Sequence, residues 1–314
     1  MNSPTVLITG GCSYSQPGLP NRSWAMHLEK LHSIRYVGHT GQGAAGNQLI
    51  SRKVISKVME AIDLGYKTED LLVGVMWSGC DRQSHFSPNI DHNYNKTNAL
   101  SSNSKEQFIA DCKADTTGQE AFYDSQDQNI KRHYHYNMAN PVLLRNKNNP
   151  SHYILNPHWE DELTTTYFEH FVNPQKAIIE TCEHILRTQW FLKDKGIKYF
   201  FTEYDFDVFH YMGPNPSYIE YSKDSECIQW PETYTREIET QHLTDPEINY
   251  LYSAIDRDYF LPIEHMQKWV TDVSVHKHPN DTDPHPGTEQ HKDFTEQVIL
   301  PFLLEKYNIG LYNV

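Results

Sequence analysis

Two short segments near opposite ends of the chain carry residues that could activate a serine hydroxyl. Ser13 follows an apolar run and the pair Gly10-Gly11, which permits a tight turn. His285 lies near the C-terminus, two residues after Asp283, whose carboxylate could orient the imidazole. A serine nucleophile, a histidine base and an orienting carboxylate are the groups that perform acyl transfer in many enzymes. Ser13, His285 and Asp283 are therefore candidate catalytic residues.

Both segments also have a structural interpretation, which the sequence alone leaves open. A serine after a first strand can cap a helix or fill a turn, and both Ser13 and Ser15 could do so. The residues around His285 are turn formers: Asp281, Asp283, Pro284 and Pro286. The chain holds 18 histidines, so a chance pairing of serine with histidine is common.

Alternating apolar segments in the first eighty residues predict an α/β fold. Strands are expected over 5–9, 34–37 and 71–77, and the last is almost continuously apolar, as in a central parallel strand. Amphipathic helices are expected over 23–31 and 47–62. This alternation indicates a three-layer α/β/α domain with a parallel, flavodoxin-like sheet.

The pattern returns in the second half of the chain, after a polar segment. A helix is expected over 174–195, with Gly196 as its C-cap, and a buried strand over 197–202. A last amphipathic helix is expected over 287–307. Residues 203–260 contain several prolines and tyrosines and show no pattern that assigns them.

The apolar spacing within the helices predicts which side chains face the core. Ser23 is the predicted N-cap of the first helix, with Trp24, Leu28 and Leu31 on its buried face. The second helix is expected to bury Leu49, Ile50, Val54, Ile55, Val58, Met59 and Ile62. The third is expected to bury Ala177, Ile178, Cys182, Ile185, Leu186, Trp190 and Leu192.

Residues 83–166 interrupt this pattern with a polar segment rich in Asn, Asp, Ser, His, Lys and Tyr. A structureless loop of that length is uncommon in a compact domain. We therefore expect an insertion with small elements of its own, which serves as a lid or as a partner-binding surface. The expected partners of that surface are a viral protein or a second copy of the chain. The α/β core then comprises 1–82 and 167–314.

Charge and cysteine content exclude several functional classes. With 27 basic and 41 acidic residues the net charge is −14, which argues against nonspecific nucleic-acid binding and against docking on anionic membranes. No apolar run approaches the ~20 residues that span a bilayer, and the N-terminus lacks the features of a signal peptide. Five widely spaced cysteines without a CxxC pair predict reduced thiols and folding in the cytoplasm.

Several of the chemistry-bearing segments follow predicted strands. In an open parallel sheet, ligands bind beyond the carboxyl ends of the strands. Residues 10–15, 39–47 and 78–82 should all lie at that edge. The His285 loop precedes the last helix and could reach the same edge, so one pocket is expected there.

Two other interpretations of the motifs are weaker. The segment Gly41-Gln-Gly-Ala-Ala-Gly46 matches GxGxxG, but it follows the second strand and no acidic residue lies clearly at a strand end about 20 positions on. The histidine pairs that could bind a divalent ion are His133-X-His135, His276-X-His278 and His285 with His291. No third and fourth ligands stand at diagnostic spacing, so neither a metal nor another cofactor is expected.

Taken together, these motifs resemble the SGNH (GDSL-like) hydrolase superfamily over residues 1–82 and 174–314. The matching elements are Gly11-Cys12-Ser13 after the first strand, the loop 41–47 after the second, Trp77-Ser78 at the end of the third, and Asp283-Pro-His285-Pro. Trp24, the element Gly46 to Ile50 and the element Trp77 to Arg82 are similar to a subgroup common in tailed-bacteriophage genomes.

The resemblance implies an activity and a role for each site residue. Ser13 would be the nucleophile and His285 the base. The oxyanion hole would comprise the Ser13 amide, a glycine amide of the second loop (Gly43, with Gly46 as the alternative) and an asparagine side chain. The implied function is hydrolysis of a small O-acyl ester, with an acylated glycan as the expected substrate.

The sequence departs from the family pattern at three points. Cys12 stands where the family has aspartate, and the segment after the third strand lacks the family's asparagine, so Asn47 or Ser78 would supply the third oxyanion donor. Thr282 occupies the usual carboxylate position, which leaves Asp283, Asp281 or a Ser–His dyad. A missing oxyanion donor can cost roughly 10²–10³ in turnover. The alternative function is therefore a binding module or a virion-associated structural module.

Overall fold

A parallel sheet of four strands forms the centre of the protein. The computed structural model describes residues 5–15, 23–29, 34–43, 45–80, 82–87, 151–155, 166–167, 170–171, 174–204, 245–276 and 285–309. The described strands are β1 (Thr5–Gly10), β2 (Ile34–His39), β3 (Leu71–Trp77), β4 (Gln83–Ser87), β5 (Ser151–Leu155) and β6 (Lys198–Glu203). The central sheet has the order β2-β1-β3-β6 with all pairs parallel, which follows the flavodoxin-like arrangement.

Helices cover both faces of this sheet. The described helices are α1 (Trp24–Glu29), α2 (Asn47–Asp63), α3 (Pro174–Asp194), α4 (Pro246–Ala254), α5 (Met266–Asp272), α6 (Thr288–Phe294) and α7 (Leu300–Tyr307). A π-helical turn, Thr295–Ile299, joins α6 to α7. One face packs against α2, α3 and α4, and the other against α1, α5 and the helix formed by α6 and α7. The predicted α/β/α layering is thus confirmed. No helix in the described ranges is long and apolar enough to cross a bilayer.

Strand β1 shows how each strand contributes to two cores. Val6 and Ile8 pack with the layer of α2 and α3, while Leu7 between them packs with the layer of α1 and α6. Successive side chains of a strand point to opposite faces of the sheet, so a strand covered on both faces is apolar at consecutive positions. All seven residues of β3 are buried, because this strand has a neighbour on each side and helices on both faces.

The bounds of the four central strands agree with the sequence prediction to within two residues, but the strands β4 and β5 and the helices α4 and α5 were not individually predicted. In α4, Asp245 caps the helix by accepting from Glu247 N (2.8 Å) and Ile248 N (3.3 Å), and Pro246 occupies the first turn. Ile248 is the fully buried residue of α4. Leu251 and Tyr252 pack beside it on the same face, but a helix of nine residues repeats this apolar spacing too few times to stand out.

Two predicted side-chain positions are wrong. Met59 and Trp190 were expected in the core but are 40% and 57% exposed, because the helices α2 and α3 turn these positions outward. Ser23 does occupy the N-cap position of α1, since its carbonyl oxygen accepts from His27 N (3.3 Å), but among the described residues its buried hydroxyl has no hydrogen-bond partner. The first amide of α1, that of Trp24, instead donates to Nδ1 of His291 (3.2 Å) in α6.

The two ends of the predicted insertion pair with each other. Strands β4 and β5 are antiparallel, with Gln83 opposite Leu155 and Ser87 opposite Ser151. The residues between them, 88–150, lie outside the described residues. The division into core and insertion, and the role of the insertion as lid or partner surface, therefore stay predictions.

Gly74 in β3 allows two aromatic rings to pack on one face of the sheet. A Cβ at this position would lie 2.6 Å from Phe200 Cζ and 3.0 Å from Trp24 Cη2. The rings of Trp24 and Phe200 meet edge to face, with centroids 5.7 Å apart. The absence of a side chain at Gly74 is what lets α1 approach the sheet.

We expect Gly74→Ala to lower the free energy of unfolding by about 1–3 kcal/mol, because the methyl group would displace one of these rings. Urea denaturation followed by tryptophan fluorescence measures the change. In a Phe200→Leu background, which removes the nearest ring, the same substitution should cost at least about 1 kcal/mol less. Equal costs in the two backgrounds would show that overpacking is not the cause.

Candidate active site

The structure brings Ser13 and His285 together although 272 positions separate them in the chain. Ser13 Oγ lies 2.7 Å from His285 Nε2, which is hydrogen-bond distance. Ser13 begins the short 3₁₀ turn Ser13–Ser15 after β1, and His285 lies just before α6. The predicted carboxylate Asp283 and its alternative Asp281 lie outside the described residues, so their roles stay predictions.

Gly11 allows the sharp turn that presents Ser13. Its φ is +153°, and a Cβ there would lie 2.3 Å from Ser15 Oγ, so no other residue fits without strain. The turn closes with a hydrogen bond from Ser15 N to the carbonyl oxygen of Cys12 (3.1 Å). Ser15 Oγ accepts from Trp24 Nε1 (3.1 Å). The hydroxyl of Ser15 therefore makes a structural hydrogen bond with Trp24, and Ser13 is the serine that contacts the histidine.

The first turns of α6 hold the segments on both sides of His285. Gly287 N donates to Gln290 Oε1 (2.9 Å), and Gln290 Nε2 donates to the carbonyl oxygen of His276 (3.1 Å). His276 Nδ1 lies 2.7 Å from Asp293 Oδ2. These contacts tie His276 and Gly287 to one rigid helix, which limits where the His285 ring can lie.

The Tyr14 ring packs against the imidazole of His285. Their ring centroids are 4.9 Å apart, and Tyr14 also contacts the ring of Tyr204 at 4.8 Å. The Tyr14 hydroxyl donates to Gln267 Oε1 (3.0 Å), next to the start of α5. Tyr14 is almost completely buried, so it forms a fixed wall beside the imidazole.

The glycine-rich loop after β2 lies against the turn that carries the nucleophile. Gln42 N donates to the carbonyl oxygen of Gly11 (3.1 Å), and a Cβ at Gly41 would lie 2.6 Å from Cε1 of His39 and 3.1 Å from the backbone carbon of Ser15. The loop follows β2, which pairs with β1. In a dinucleotide-binding unit the corresponding loop follows the first strand. The glycines here allow close backbone contact between two loops, and the arrangement does not match a dinucleotide-binding fingerprint.

Asn47, at the start of α2, joins the second loop to the end of β3. Its Oδ1 accepts from Ser78 N (2.8 Å), and its Nδ2 donates to the carbonyl oxygen of Ser78 (2.8 Å) and to Thr181 Oγ1 (3.2 Å). Asn47 and Ser78 are both buried. Both amide protons of Asn47 are engaged, so donation to an oxyanion would require one of these bonds to break.

The remaining predicted oxyanion residues lie at the same edge of the sheet. Gly43 is half-buried in the second loop. The amide of Gly46 donates to Ser84 Oγ (3.3 Å), and Ser78 Oγ accepts from Arg82 Nη1 (3.1 Å). The described hydrogen bonds of Gly46 and Ser78 therefore connect the loops with one another, and their roles in substrate binding stay predictions.

Burial keeps a second histidine, His291 in α6, neutral at this site. Burial, with smaller electrostatic contributions from His27 and His285, lowers the pKa of His291 to about 3. The neutral ring accepts the hydrogen bond from Trp24 N described above. Near the second loop, burial and the charge of Lys53 likewise lower the pKa of His39. Both imidazoles therefore act as uncharged polar groups inside the protein.

The histidine pairs considered for metal binding make other contacts where they are described. His285 contacts Ser13, His291 contacts Trp24 and His276 contacts Asp293. Within the described ranges no group of three or more His, Cys, Asp or Glu residues is arranged to hold a metal ion. His133, His135 and His278 lie outside those ranges.

Three residues of this region were not assigned a role from the sequence. Tyr14 lies between the candidate serines Ser13 and Ser15, and Tyr204 follows β6 directly. Arg82 was noted as part of a motif without a function. The rule that ligands bind at the carboxyl ends of parallel strands would have pointed to Tyr204 once β6 was placed in the sheet.

Comparisons with known proteins identify no relative of this chain. No protein-family model, no curated protein and no solved structure matches it. The function is therefore inferred from the chemistry and geometry of the residues themselves.

We expect Asn47→Ala to lower the free energy of unfolding by about 2–4 kcal/mol. The substitution leaves the amide and carbonyl of Ser78 buried without the partner they have now, and each such group costs roughly 1–3 kcal/mol. Urea denaturation measures the loss. Gln48→Ala is a matched control, since Gln48 Oε1 accepts no hydrogen bond from the described residues. A loss of similar size in the two variants would contradict the role given to Asn47.

The neutral state of His291 predicts loss of stability in mild acid. An unfolded histidine takes up a proton near pH 6.5, whereas folded His291 does so only near pH 3. The unfolded state thus binds more protons between these values, and stability falls as the pH drops through this window. From pH 7.5 to pH 5, His291 alone should cost about 2 kcal/mol.

His291→Asn tests this contribution, because asparagine keeps an acceptor for the amide of Trp24 but does not titrate. Unfolding free energies measured at pH 7.5 and pH 5 should fall less in this variant than in the wild type, by about 2 kcal/mol. The exposed His170, changed to Asn, is the control. An unchanged pH dependence in His291→Asn would refute the assignment.

Proposed function

We propose that the protein is a serine hydrolase that cleaves a small O-acyl ester. The observation that carries the proposal is the 2.7 Å contact between Ser13 Oγ and His285 Nε2. The contact lies at the carboxyl end of β1, the edge at which parallel sheets bind ligands. A serine within hydrogen-bond distance of a histidine is the arrangement that nucleophilic catalysis requires.

In the first half of the reaction, the Ser13 hydroxyl donates its hydrogen bond to an unprotonated Nε2 of His285. The base takes the proton as Oγ attacks the ester carbonyl carbon, and the carbonyl electron pair moves to its oxygen. The tetrahedral intermediate collapses with cleavage of the bond to the alcohol oxygen. The alcohol leaves with the proton from His285, and the acyl group remains on Ser13.

In the second half, a water molecule replaces the alcohol. His285 removes a proton from the water as its oxygen attacks the acyl carbon, and the second tetrahedral intermediate releases the carboxylic acid. The proton returns to Ser13 Oγ, so the enzyme is regenerated. The ring of Tyr14 beside the imidazole, at 4.9 Å, favours one orientation of His285 through both halves.

The oxyanion is proposed to bind the backbone amides of Ser13 and Gly43. The side chain of Asn47 is better suited to a positioning role, because its three hydrogen bonds hold the second loop against the end of β3. The acyl group is proposed to lie on a carbohydrate, a preference that rests on the resemblance to SGNH hydrolases. No cofactor enters this mechanism.

A second candidate is a binding module or virion-associated structural module built on the same fold. The engagement of both Asn47 amide protons favours it, since it leaves the proposed oxyanion hole with one side-chain donor fewer than the family pattern. The two candidates differ in whether Ser13 can be acylated.

Hydrolysis of p-nitrophenyl acetate should fall at least about 10³-fold in Ser13→Ala and in His285→Ala, because each removes one member of a unit that acts together. A serine-directed fluorophosphonate should label the wild type at Ser13, with loss of fluoride, and should not label Ser13→Ala. Mass spectrometry of the labelled peptide identifies the site.

The controls are Ser253→Ala and His170→Ala, which change an exposed serine and an exposed histidine. Circular dichroism checks that all variants are folded. Labelling that persists in Ser13→Ala, or hydrolysis equal in the wild type and both site variants, would reject the hydrolase and leave the binding module.

A further inference from the structure

We infer that Arg82, stacked on the ring of Tyr204, forms an anion-binding subsite beside Ser13 and His285. The ester that the protein cleaves would then carry a carboxylate or another negative charge close to the ester bond. This inference rests on the proposed function, since it names the substrate class of the same site.

The subsite is assembled from the ends of three neighbouring strands. Arg82 follows β3, Tyr204 follows β6 and Tyr14 follows β1, so all three lie at the carboxyl edge of the sheet. Tyr204 is fixed by two backbone hydrogen bonds, from its amide to Trp77 O (3.2 Å) and from Gln267 N to its carbonyl oxygen (2.9 Å). Its ring is therefore held at a defined place relative to the nucleophile turn.

The rings form a continuous row from the guanidinium to the catalytic pair. Arg82 Cζ lies 4.6 Å from the centroid of the Tyr204 ring. The Tyr204 and Tyr14 centroids are 4.8 Å apart, and those of Tyr14 and His285 are 4.9 Å apart. Three successive contacts, through the rings of Tyr204 and Tyr14, thus join Arg82 to the imidazole of the catalytic pair.

The orientation of Arg82 is set by more than the stacking contact. Nη1 donates to Ser78 Oγ (3.1 Å), and the backbone amide of Arg82 donates to the carbonyl oxygen of Gly79 (3.3 Å). A guanidinium has five N–H donors in a planar fork, which can bind a carboxylate through two parallel hydrogen bonds while it stacks on an aromatic face. Arg82 is partly exposed, as contact with a ligand requires.

The negative net charge of the chain bears on which substrates this arginine would bind. At a net charge of −14, the protein as a whole repels anionic ligands. A guanidinium at the carboxyl edge of the sheet favours substrates whose negative charge reaches it. A neutral ester gains nothing from this arrangement.

Binding to Ser13→Ala, which cannot be acylated, tests the subsite without turnover. Monomethyl succinate and dimethyl succinate differ in one negative charge, and isothermal titration measures their affinities. The monoanion should bind at least about tenfold more tightly than the neutral diester, and adding Arg82→Gln should remove that preference. Equal affinities, or a preference that survives Arg82→Gln, would overturn the inference.

Turnover gives an independent test in the otherwise wild-type protein. The matched substrates are p-nitrophenyl hemisuccinate and p-nitrophenyl butyrate for charge on the acyl side, and 4-acetoxybenzoate and its methyl ester for charge on the alcohol side. Arg82→Gln should lower kcat/KM at least about tenfold more for the charged member of one pair than for its neutral partner, mainly through KM. Arg82→Lys should retain part of the preference, since it keeps the charge but loses the planar fork.

A purely structural arginine would behave differently. Loss of its bond to Ser78 would lower the rates of charged and neutral esters equally, and that outcome would reject the subsite. Arg257→Gln is the matched control, because Arg257 also lies over a tyrosine ring, that of Tyr252 (5.9 Å), but outside this row. Activity that survives Ser13→Ala would reject the hydrolase instead, so the two failures are distinguishable.

Discussion

The contacts of Trp24 connect the two ends of the chain on which the candidate site depends. Its indole Nε1 donates to Ser15 Oγ in the nucleophile turn (3.1 Å), while its backbone amide donates to His291 Nδ1 (3.2 Å) in α6. Its carbonyl oxygen accepts from Thr295 Oγ1 (3.2 Å), one turn further along the same helix. Trp24 is completely buried, so these bonds form away from water. The turn that carries Ser13 and the helix that follows His285 are thus held by one residue.

The rest of the site follows from close packing at the carboxyl edge of the sheet. Gly74 lets α1 approach β3, which brings Trp24 over the sheet, and Gly11 allows the turn that exposes Ser13. Hydrogen bonds then connect the neighbouring loops in pairs, through Asn47 between the second loop and β3 and through Gln290 around His285. Each loop is held by backbone or amide contacts, so a rigid environment orients the reactive side chains.

Much of the fold was predictable because apolar periodicity is a local property of the chain. The strand β3 has seven consecutive apolar or small residues, and its bounds were predicted without error. The helix α4 was missed although Asp245 and Pro246 form a clear start signal, because in nine residues the apolar spacing of Ile248, Leu251 and Tyr252 repeats too few times to stand out. Trp190 was misplaced because its apolar character suggested burial, whereas the helix α3 turns this position outward.

The sequence by itself determined the layered α/β fold and named Ser13 and His285 as candidates, since both depend on residue type and short-range spacing. Only the tertiary structure decided that Ser13 and not Ser15 contacts the histidine, that both Asn47 amide protons are engaged, and that Arg82 joins the row of rings. These contacts join residues that are tens to hundreds of positions apart. Their distances follow from how the strands order and how the helices pack, which no local pattern encodes.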